Sequence, residues 1–194
     1  MTAVVGQAFS QFLFFVMAVF LPLGAQTIQV APSPVPDVQV MGATDPGFQA
    51  LVDRLLPNRG PSTNQWIPYC VIVTNHTEHT LIDVAVAWRL SSPGRPDRDH
   101  VVSGLIMHPD RRIGPGKSAI EFPVGTILAP YEFTDHQNYS VDVGEYRSAG
   151  AVVISLDAGA FESGQFVGPD ATHEFERLRA EVSRRGRPGL AIHR

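Results

Sequence analysis

The chain has 194 residues, of which 44% are hydrophobic and 18% charged, so it is expected to form one folded domain rather than a chain disordered throughout. Its formal net charge of -4 supplies no basic surface, and a nucleic-acid partner is not expected. The single cysteine, Cys70, excludes an intrachain disulfide, so the fold must rest on its hydrophobic core.

A leader is predicted at the start of the chain, in residues 1–25. Residues 12–23 are almost purely apolar, which matches the core of a signal peptide and falls short of the ~20 residues of a membrane span. Cleavage is expected before Gln26, with export to the periplasm or the extracellular space. Two alternatives stay open, an anchor formed by uncleaved residues 9–25 and a core helix, because residues 1–10 hold no Lys or Arg.

Residues 26–64 are predicted to form a proline-rich linker with one short helix. The three prolines in residues 31–36 favour an extended spacer, and residues 38–40 a short edge strand. Asp45 is the expected helix cap and Pro46 the first helical residue. An apolar stripe at helical spacing follows, formed by Phe48, Leu51, Val52 and Leu55. The helix is expected to pack on the domain's own core, with a partner-binding helix as the alternative.

Residues 65–168 are predicted to form a β-sandwich, because short strands recur about every 10 residues with turn residues between them. The strands are expected at residues 67–75, 81–90, 101–107, 118–124, 139–143 and 150–156, with a short return near 167. The first two should form a hairpin or lie side by side. In the second, alternation places Ile82, Val84, Val86 and Trp88 in the core and Asp83 and Arg89 outward.

Residues 169–194 are predicted to form a C-terminal helix and a tail. The helix should open at Pro169 and Asp170 and run through about Arg185, before Gly186. Its apolar stripe is narrow and consists of Phe175, Leu178 and Val182.

One segment carries a family resemblance. Residues 69–88 read YCVIVTNHTEHTLIDVAVAW, a strand, a polar turn and a strand ending in Trp, and residues 113–118 form a Gly-Pro-Gly turn before another strand. Together they resemble bacterial extracytoplasmic immunoglobulin-like or fibronectin-like modules of unknown function, and residues 155–170 look like the C-terminal end of uncharacterised secreted proteins. The resemblance implies a β-sandwich and no activity, although Cys70 lacks the partner of an immunoglobulin disulfide.

The expected fold class is therefore mostly β. It is an immunoglobulin-like antiparallel β-sandwich with one short helix before it and a C-terminal helix. Fold class alone does not supply a function.

Few residues suggest chemistry. His76 and His79 could begin a metal site, with a third ligand from His100, His108 or Asp110, but they lie in a predicted turn and are expected to be solvated. The HExxH and Gly-x-Ser-x-Gly patterns are absent from the sequence, and Cys70 is expected to be a small buried hydrophobe. No catalytic, cofactor-binding or metal-binding residue is assigned, and no cofactor is expected.

Other polar groups are expected to be surface features. The carboxylates are scattered along the chain and are expected at the surface. The arginines at 111–112 and 177–187 are expected to be exposed to solvent. Asn75 and Asn138 each begin a glycosylation acceptor pattern, which matters only in a eukaryotic secretory protein. The carboxylates in question are Asp83, Asp97, Asp99, Asp110, Glu132, Asp135, Asp142, Glu145 and Asp157.

Three functions stay open. The first is a non-enzymatic interaction module that binds an unidentified protein or glycan in the envelope or extracellular space, through the loops at 91–99, 109–116 and 131–138 or along a sheet edge. The second is an envelope hydrolase with an acidic or histidine-containing site that includes His100 and His108. The third is a structural envelope protein that contacts the membrane only if its leader is uncleaved.

Overall fold

A computed structural model describes residues 26–102, 112–127, 142–176 and 179, with the backbone alone at residues 125–127. The described chain is mostly β. Its strands are β1 Thr27–Val30, β2 Val38–Met41, β3 Val71–Asn75, β4 Leu81–Ser91, β5 Arg98–Val102, β6 Ser118–Phe122, β7 Gly125–Ile127, β8 Ala151–Phe161 and β9 Phe166–Val167. Its helices are α1 Phe48–Leu55, α2 Pro61–Asn64 and α3 Val143–Ser148, with a 3-10 turn at Ile67–Tyr69.

The strands form two sheets, as expected for a β-sandwich. The five-stranded sheet has the order β1-β8-β4-β5, with β9 also paired to β8, and the four-stranded sheet has the order β2-β3-β6-β7. Among the described strands, β1 and β8 are the only parallel pair; every other pair is antiparallel. Residues 26–64 therefore supply an edge strand to each sheet.

The two sheets meet over a core that centres on Trp88. This residue lies in β4, opposite Ile154 of β8, and is fully buried. Its indole Nε1 donates a hydrogen bond of 2.7 Å to the carbonyl of Tyr69, which leads into β3 of the other sheet. Val84 and Val86 lie in the same core, which confirms their expected inward orientation. Ile82 is buried but does not belong to that core cluster, whereas its neighbour Leu81 does.

The expected outward position of Asp83 is wrong, because Asp83 is fully buried. The register of β4 on β8 is irregular between Leu81 and Asp83 and again between Ala85 and Val86, so strict alternation does not hold there. Residues 81–86 of β4 are all buried, so both faces of the strand are covered there. The charge of Asp83 in the sequence gives no sign of this. Arg89 is exposed, as the alternation predicts.

Helix α1 adds a layer to the four-stranded sheet. It packs against β3 and β6 and buries Phe48 and Val52, so the predicted apolar stripe is confirmed. The predicted cap is wrong: the helix begins at Phe48, and the Asp45 carboxylate instead accepts a hydrogen bond of 2.6 Å from the Gly42 amide. Asp45 thereby closes the turn between β2 and α1.

Several predicted strand limits also change. Strands β3 and β4 belong to different sheets, so they do not form a hairpin. Residues 67–69 form a 3-10 turn before β3 because Pro68 cannot donate a ladder hydrogen bond. Val143, the predicted end of a strand, begins helix α3, since the Asp142 carboxylate accepts a hydrogen bond of 2.8 Å from the Gly144 amide and caps the first turn.

The C-terminal helix is described only at its start. The predicted opening at Pro169 and Asp170 is wrong, because helical backbone begins at Glu174 and residues 169–173 form a turn. Asp170 Oδ1 accepts a hydrogen bond of 2.9 Å from the Phe175 amide in the first turn. The predicted continuation through Arg185, with Leu178 and Val182, lies outside the described residues, as do the leader and residues 103–107.

We expect Trp88→Phe to lower the free energy of unfolding by about 2–4 kcal/mol, because it leaves the buried Tyr69 carbonyl without its donor and creates a cavity. Arg89→Ala on the same strand is the control, and it should cost less than about 1 kcal/mol because its ion pair with Asp99 is exposed. Urea denaturation of the full chain measures both changes. Equal effects of the two substitutions would contradict the central role of Trp88.

Candidate functional site

Four segments meet at one end of the sandwich, which we call the α3 end: residue 26, residues 66–69, residues 92–97 and residues 142–150. The amide of Gly150 donates to the carbonyl of Ser91 over 2.8 Å, and the amide of Thr27 donates to the carbonyl of Gly150 over 3.1 Å. These bonds join the tip of β4, the start of β8 and the start of β1. The α3 end is therefore assembled from both terminal and central parts of the described chain.

Gln26 ties these segments together through its side-chain amide. Its Nε2 donates to the carbonyls of Tyr146 and of Ala149, the latter over 3.1 Å. Its Oε1 accepts a hydrogen bond of 3.0 Å from the Tyr69 hydroxyl. In the sequence, Gln26 stands out only as the residue after the predicted cleavage site. No local pattern indicates that its side chain bonds to residues 43 to 123 positions away.

Three aromatic rings support the Gln26 contacts from below. Trp66, Tyr69 and Tyr146 pack edge to face or tilted, with ring centroids 5.3–6.5 Å apart, and all three are buried. Burial raises the pKa of the Tyr146 hydroxyl, with a further contribution from the charge of Glu145. Burial also raises the pKa of Tyr69. The three rings thus form a packed and buried layer beneath the α3 end, not an exposed binding platform.

A sharp loop, residues 92–97, projects from this floor between β4 and β5, and we call it the presented loop. The Arg95 amide donates to the Ser92 carbonyl over 3.2 Å, and Pro93 and Gly94 occupy the centre of the turn. Gly94 has φ of 74°, as the third position of a type II turn requires. Residues 93–97 are all exposed. The loop falls within the predicted candidate loop 91–99.

The base of the presented loop is anchored to α3. Arg98, the first residue of β5, forms an ion pair of 2.9 Å with Glu145. Arg89 and Asp99 form a second, two-pronged pair at 2.8 and 3.0 Å on the outer face of the sheet, and the Arg89 guanidinium lowers the pKa of the Asp99 carboxyl. Both pairs are exposed and add little stability, and they link the first two residues of β5 to α3 and to β4.

The opposite end of the sandwich is organised by Asn75, and we call it the turn end: residues 75–80, 112–117 and 161–165. Asn75 is fully buried, and its Nδ2 donates to the carbonyls of His79 and Ile113 over 2.7 and 2.8 Å. Its Oδ1 accepts from the amide and the hydroxyl of Thr77. A glycan on Nδ2 would remove these bonds, so the acceptor pattern at Asn75 is structural in this fold; Asn138 lies outside the described residues.

The histidines proposed as metal ligands do not converge in the described structure. His76 is exposed and contacts Gln39 over 3.2 Å, and His79 is exposed with its ring 6.3 Å from that of Phe161. His100 lies beside Trp88 and donates through Nε2 to the Pro123 carbonyl. Within residues 26–102, 112–127 and 142–176, no three ligand-type side chains could hold a metal ion. His108 and Asp110 lie outside the described residues.

Cys70 is a core residue, as expected. It is fully buried, and its Sγ donates to the Ile67 carbonyl over 3.3 Å. Burial raises the pKa of the thiol far above its ordinary value, so the nucleophilic thiolate is scarce at neutral pH.

Asp157 was expected to be a surface charge, but it is buried and holds a neighbouring segment in place. Asp157 is buried in β8, and its carboxylate accepts hydrogen bonds from the amides of Ala171 and Thr172 over 2.9 and 3.0 Å and from the Thr172 hydroxyl. It fixes the chain after β9 against the five-stranded sheet. Asp97, Asp142 and Glu145 are exposed, and the remaining candidates Asp110, Glu132 and Asp135 lie outside the described residues.

The basic residues follow two patterns. Arg112 forms an exposed ion pair of 2.9 Å with Glu162 at the turn end. In the predicted C-terminal cluster at 177–187, the described member Arg179 lies 4.8 Å above the ring of Phe166. Phe166 in turn packs edge to face with Phe175 at 5.0 Å. Arg179 therefore contacts the aromatic pair that packs the C-terminal segment, whereas Arg112 does not.

No protein-family model matches the chain, and no curated protein and no solved structure is significantly similar to it. Over the described residues, none of the helices has the length and apolar content needed to cross a bilayer.

We expect Asn75→Ala to lower the free energy of unfolding by about 2–4 kcal/mol, because it removes the four hydrogen bonds of a fully buried carboxamide and leaves a cavity in its place. His76→Ala, at the next position and exposed, should change the stability by less than about 0.5 kcal/mol. Thermal and urea unfolding of both variants measure the difference. A small effect at Asn75 would mean that water replaces its side chain.

Cys70 should react with a thiol reagent at least about 100-fold more slowly in the folded protein than in denaturant, because burial suppresses the thiolate and blocks access. The release of chromophore from Ellman's reagent at pH 8 measures both rates. A variant with Lys117→Cys in the exposed turn is the control and should react rapidly without denaturant. Rapid native labelling at Cys70 would contradict its place in the core.

Proposed function

We propose that this chain is a non-catalytic β-sandwich interaction module that binds a protein or glycan partner through the presented loop. The main support for the proposal is that an exposed, ordered loop lies above a buried and well-packed aromatic cluster. Residues 93–97 are exposed, while the rings of Trp66, Tyr69 and Tyr146 beneath the α3 end are buried. Binding residues commonly lie on loops that a rigid scaffold positions.

The conformation of the loop favours binding at low entropic cost. Pro93 and Pro96 each fix one φ angle, and the Ser92–Arg95 hydrogen bond closes the turn. A loop that is already ordered loses less freedom when a partner immobilises it. Arg95, at the exit of the turn, is exposed and offers a planar guanidinium suited to a carboxylate or to several hydroxyl groups.

The immunoglobulin-like character of the sandwich is part of the proposal. Consecutive strands β3 and β4 lie in opposite sheets, β4 pairs with β8, and β3 pairs with β6, which supports a Greek-key arrangement of that kind. The parallel β1 on the outer edge of β8 departs from a purely antiparallel sandwich. Export to the periplasm or extracellular space is proposed from the leader in the sequence.

We expect Arg95→Ala to reduce partner retention about tenfold or more, the effect of removing a central arginine from an interface. The full chain, its Arg95→Ala variant and a Lys117→Ala variant are immobilised at equal density and exposed to envelope and culture extracts, and retained proteins and glycans are quantified by mass spectrometry.

Lys117→Ala is the matched control, because it truncates an exposed cation in the turn end and should leave retention unchanged. A second variant, Gly94→Val, keeps every charge but disfavours the positive φ of the turn, and it should also weaken retention. Retention that is equal for all four proteins would exclude the presented loop as the binding site.

A further inference from the structure

Removal of the leader at the predicted site would give Gln26 a reactive α-amino group. Cleavage before Gln26 makes it the first residue of the matured chain. An N-terminal glutamine can close on itself: its α-amino nitrogen attacks Cδ, a new N–Cδ bond forms, and the Cδ–Nε2 bond breaks. Nε2 leaves as ammonia with the proton that the amine gives up, and the residue becomes a pyroglutamyl lactam. This step needs no oxidant and no other reactant.

The fold uses the same atom that this reaction removes. Gln26 Nε2 donates hydrogen bonds to the carbonyls of Tyr146 and Ala149, while Oε1 accepts one from the Tyr69 hydroxyl. A lactam has no primary amide, so it cannot replace the two bonds that Nε2 makes. Cyclisation therefore removes both links from the Gln26 side chain to residues 146 and 149.

The partners of Gln26 also oppose the reaction. Nε2 can leave only as it takes up a proton, but both of its partners are backbone carbonyls, which accept hydrogen bonds and have no proton to give. The Tyr69 hydroxyl holds Oε1, and the Gly150 carbonyl holds the amide of Thr27 over 3.1 Å. Cyclisation thus requires the side chain to leave its partners first, which is a local opening of the structure.

We infer that Gln26 is a modification site that folding controls. The N-terminus of the matured chain cyclises to pyroglutamate while the chain is unfolded, and it stays a glutamine with a free amine once its carboxamide is bound at the α3 end. A chain that cyclises before it folds lacks the two bonds that join Gln26 to Tyr146 and Ala149. The inference rests on the proposed cleavage of the leader and is independent of what the presented loop binds.

Intact mass spectrometry follows the reaction, because cyclisation removes one ammonia from the chain. The full chain, as the expressing cell matures it, is incubated at the same temperature and pH in buffer and in guanidinium chloride, and the cyclised fraction is measured over time. We expect cyclisation to be at least about tenfold slower in the folded protein, since the bonds of Nε2 must break before it can leave. Equal rates in the two solutions would overturn the inference.

The mass of the isolated protein separates this inference from the proposed cleavage, because it identifies the first residue. A first residue other than Gln26 would contradict both the cleavage site and the inference. A chain that begins at Gln26 but is already cyclised throughout would support the cleavage site and contradict the inference alone.

Two tyrosine variants test the contacts of the carboxamide. Tyr69→Phe removes the hydroxyl that holds Oε1 and should speed cyclisation in the folded protein by about threefold or more. Tyr146→Phe is the matched control and should cyclise at the native rate. Its hydroxyl has no hydrogen-bond partner among the described residues, and the carbonyl that Nε2 contacts is unchanged. Slower cyclisation in Tyr69→Phe would mean that the hydroxyl activates Cδ for attack, which is the opposite of the inference.

A third variant separates local opening at Gln26 from unfolding of the whole chain. Asn75→Ala weakens the fold at the turn end, on the opposite side of the sandwich from Gln26. Cyclisation of this variant in buffer should proceed at the native rate. An increase as large as that of Tyr69→Phe would mean that global unfolding sets the rate, and binding of the Gln26 carboxamide would then not be what protects it.

Discussion

The structure depends on the hydrogen bond from the Trp88 indole to the Tyr69 carbonyl. A sandwich with one cysteine has no disulfide between its sheets, so burial of apolar side chains supplies most of the attraction between them. Burial is not directional, and it does not by itself fix how one sheet sits over the other. A buried donor on β4 and a buried acceptor in the 3-10 turn that leads into β3 do fix it, because any slip would leave both groups unsatisfied at a cost of about 1–3 kcal/mol each.

The α3 end inherits its order from that bond through a short series of contacts. The Tyr69 backbone is held by Trp88, and the Tyr69 hydroxyl in turn holds Gln26. Gln26 fixes the carbonyls of α3, and Gly150, just after α3, bonds to Ser91 at the base of the presented loop. The position of an exposed loop is thus set by core packing, which explains how a small domain without disulfides can present a defined surface.

Much of the sheet framework could be predicted from the sequence, because alternation and β-branched residues determine β2, β6 and the core face of β4 locally. The predictions that were wrong concern residues whose environment depends on segments distant in the sequence. The burial of Asp83 and Asp157 follows from irregular pairing and from a segment that returns to β8, and neither is encoded near those residues. The role of Gln26 joins residues more than 100 positions apart. At Val143, a local capping interaction by Asp142 outweighs strand propensity, and the sequence does contain that signal.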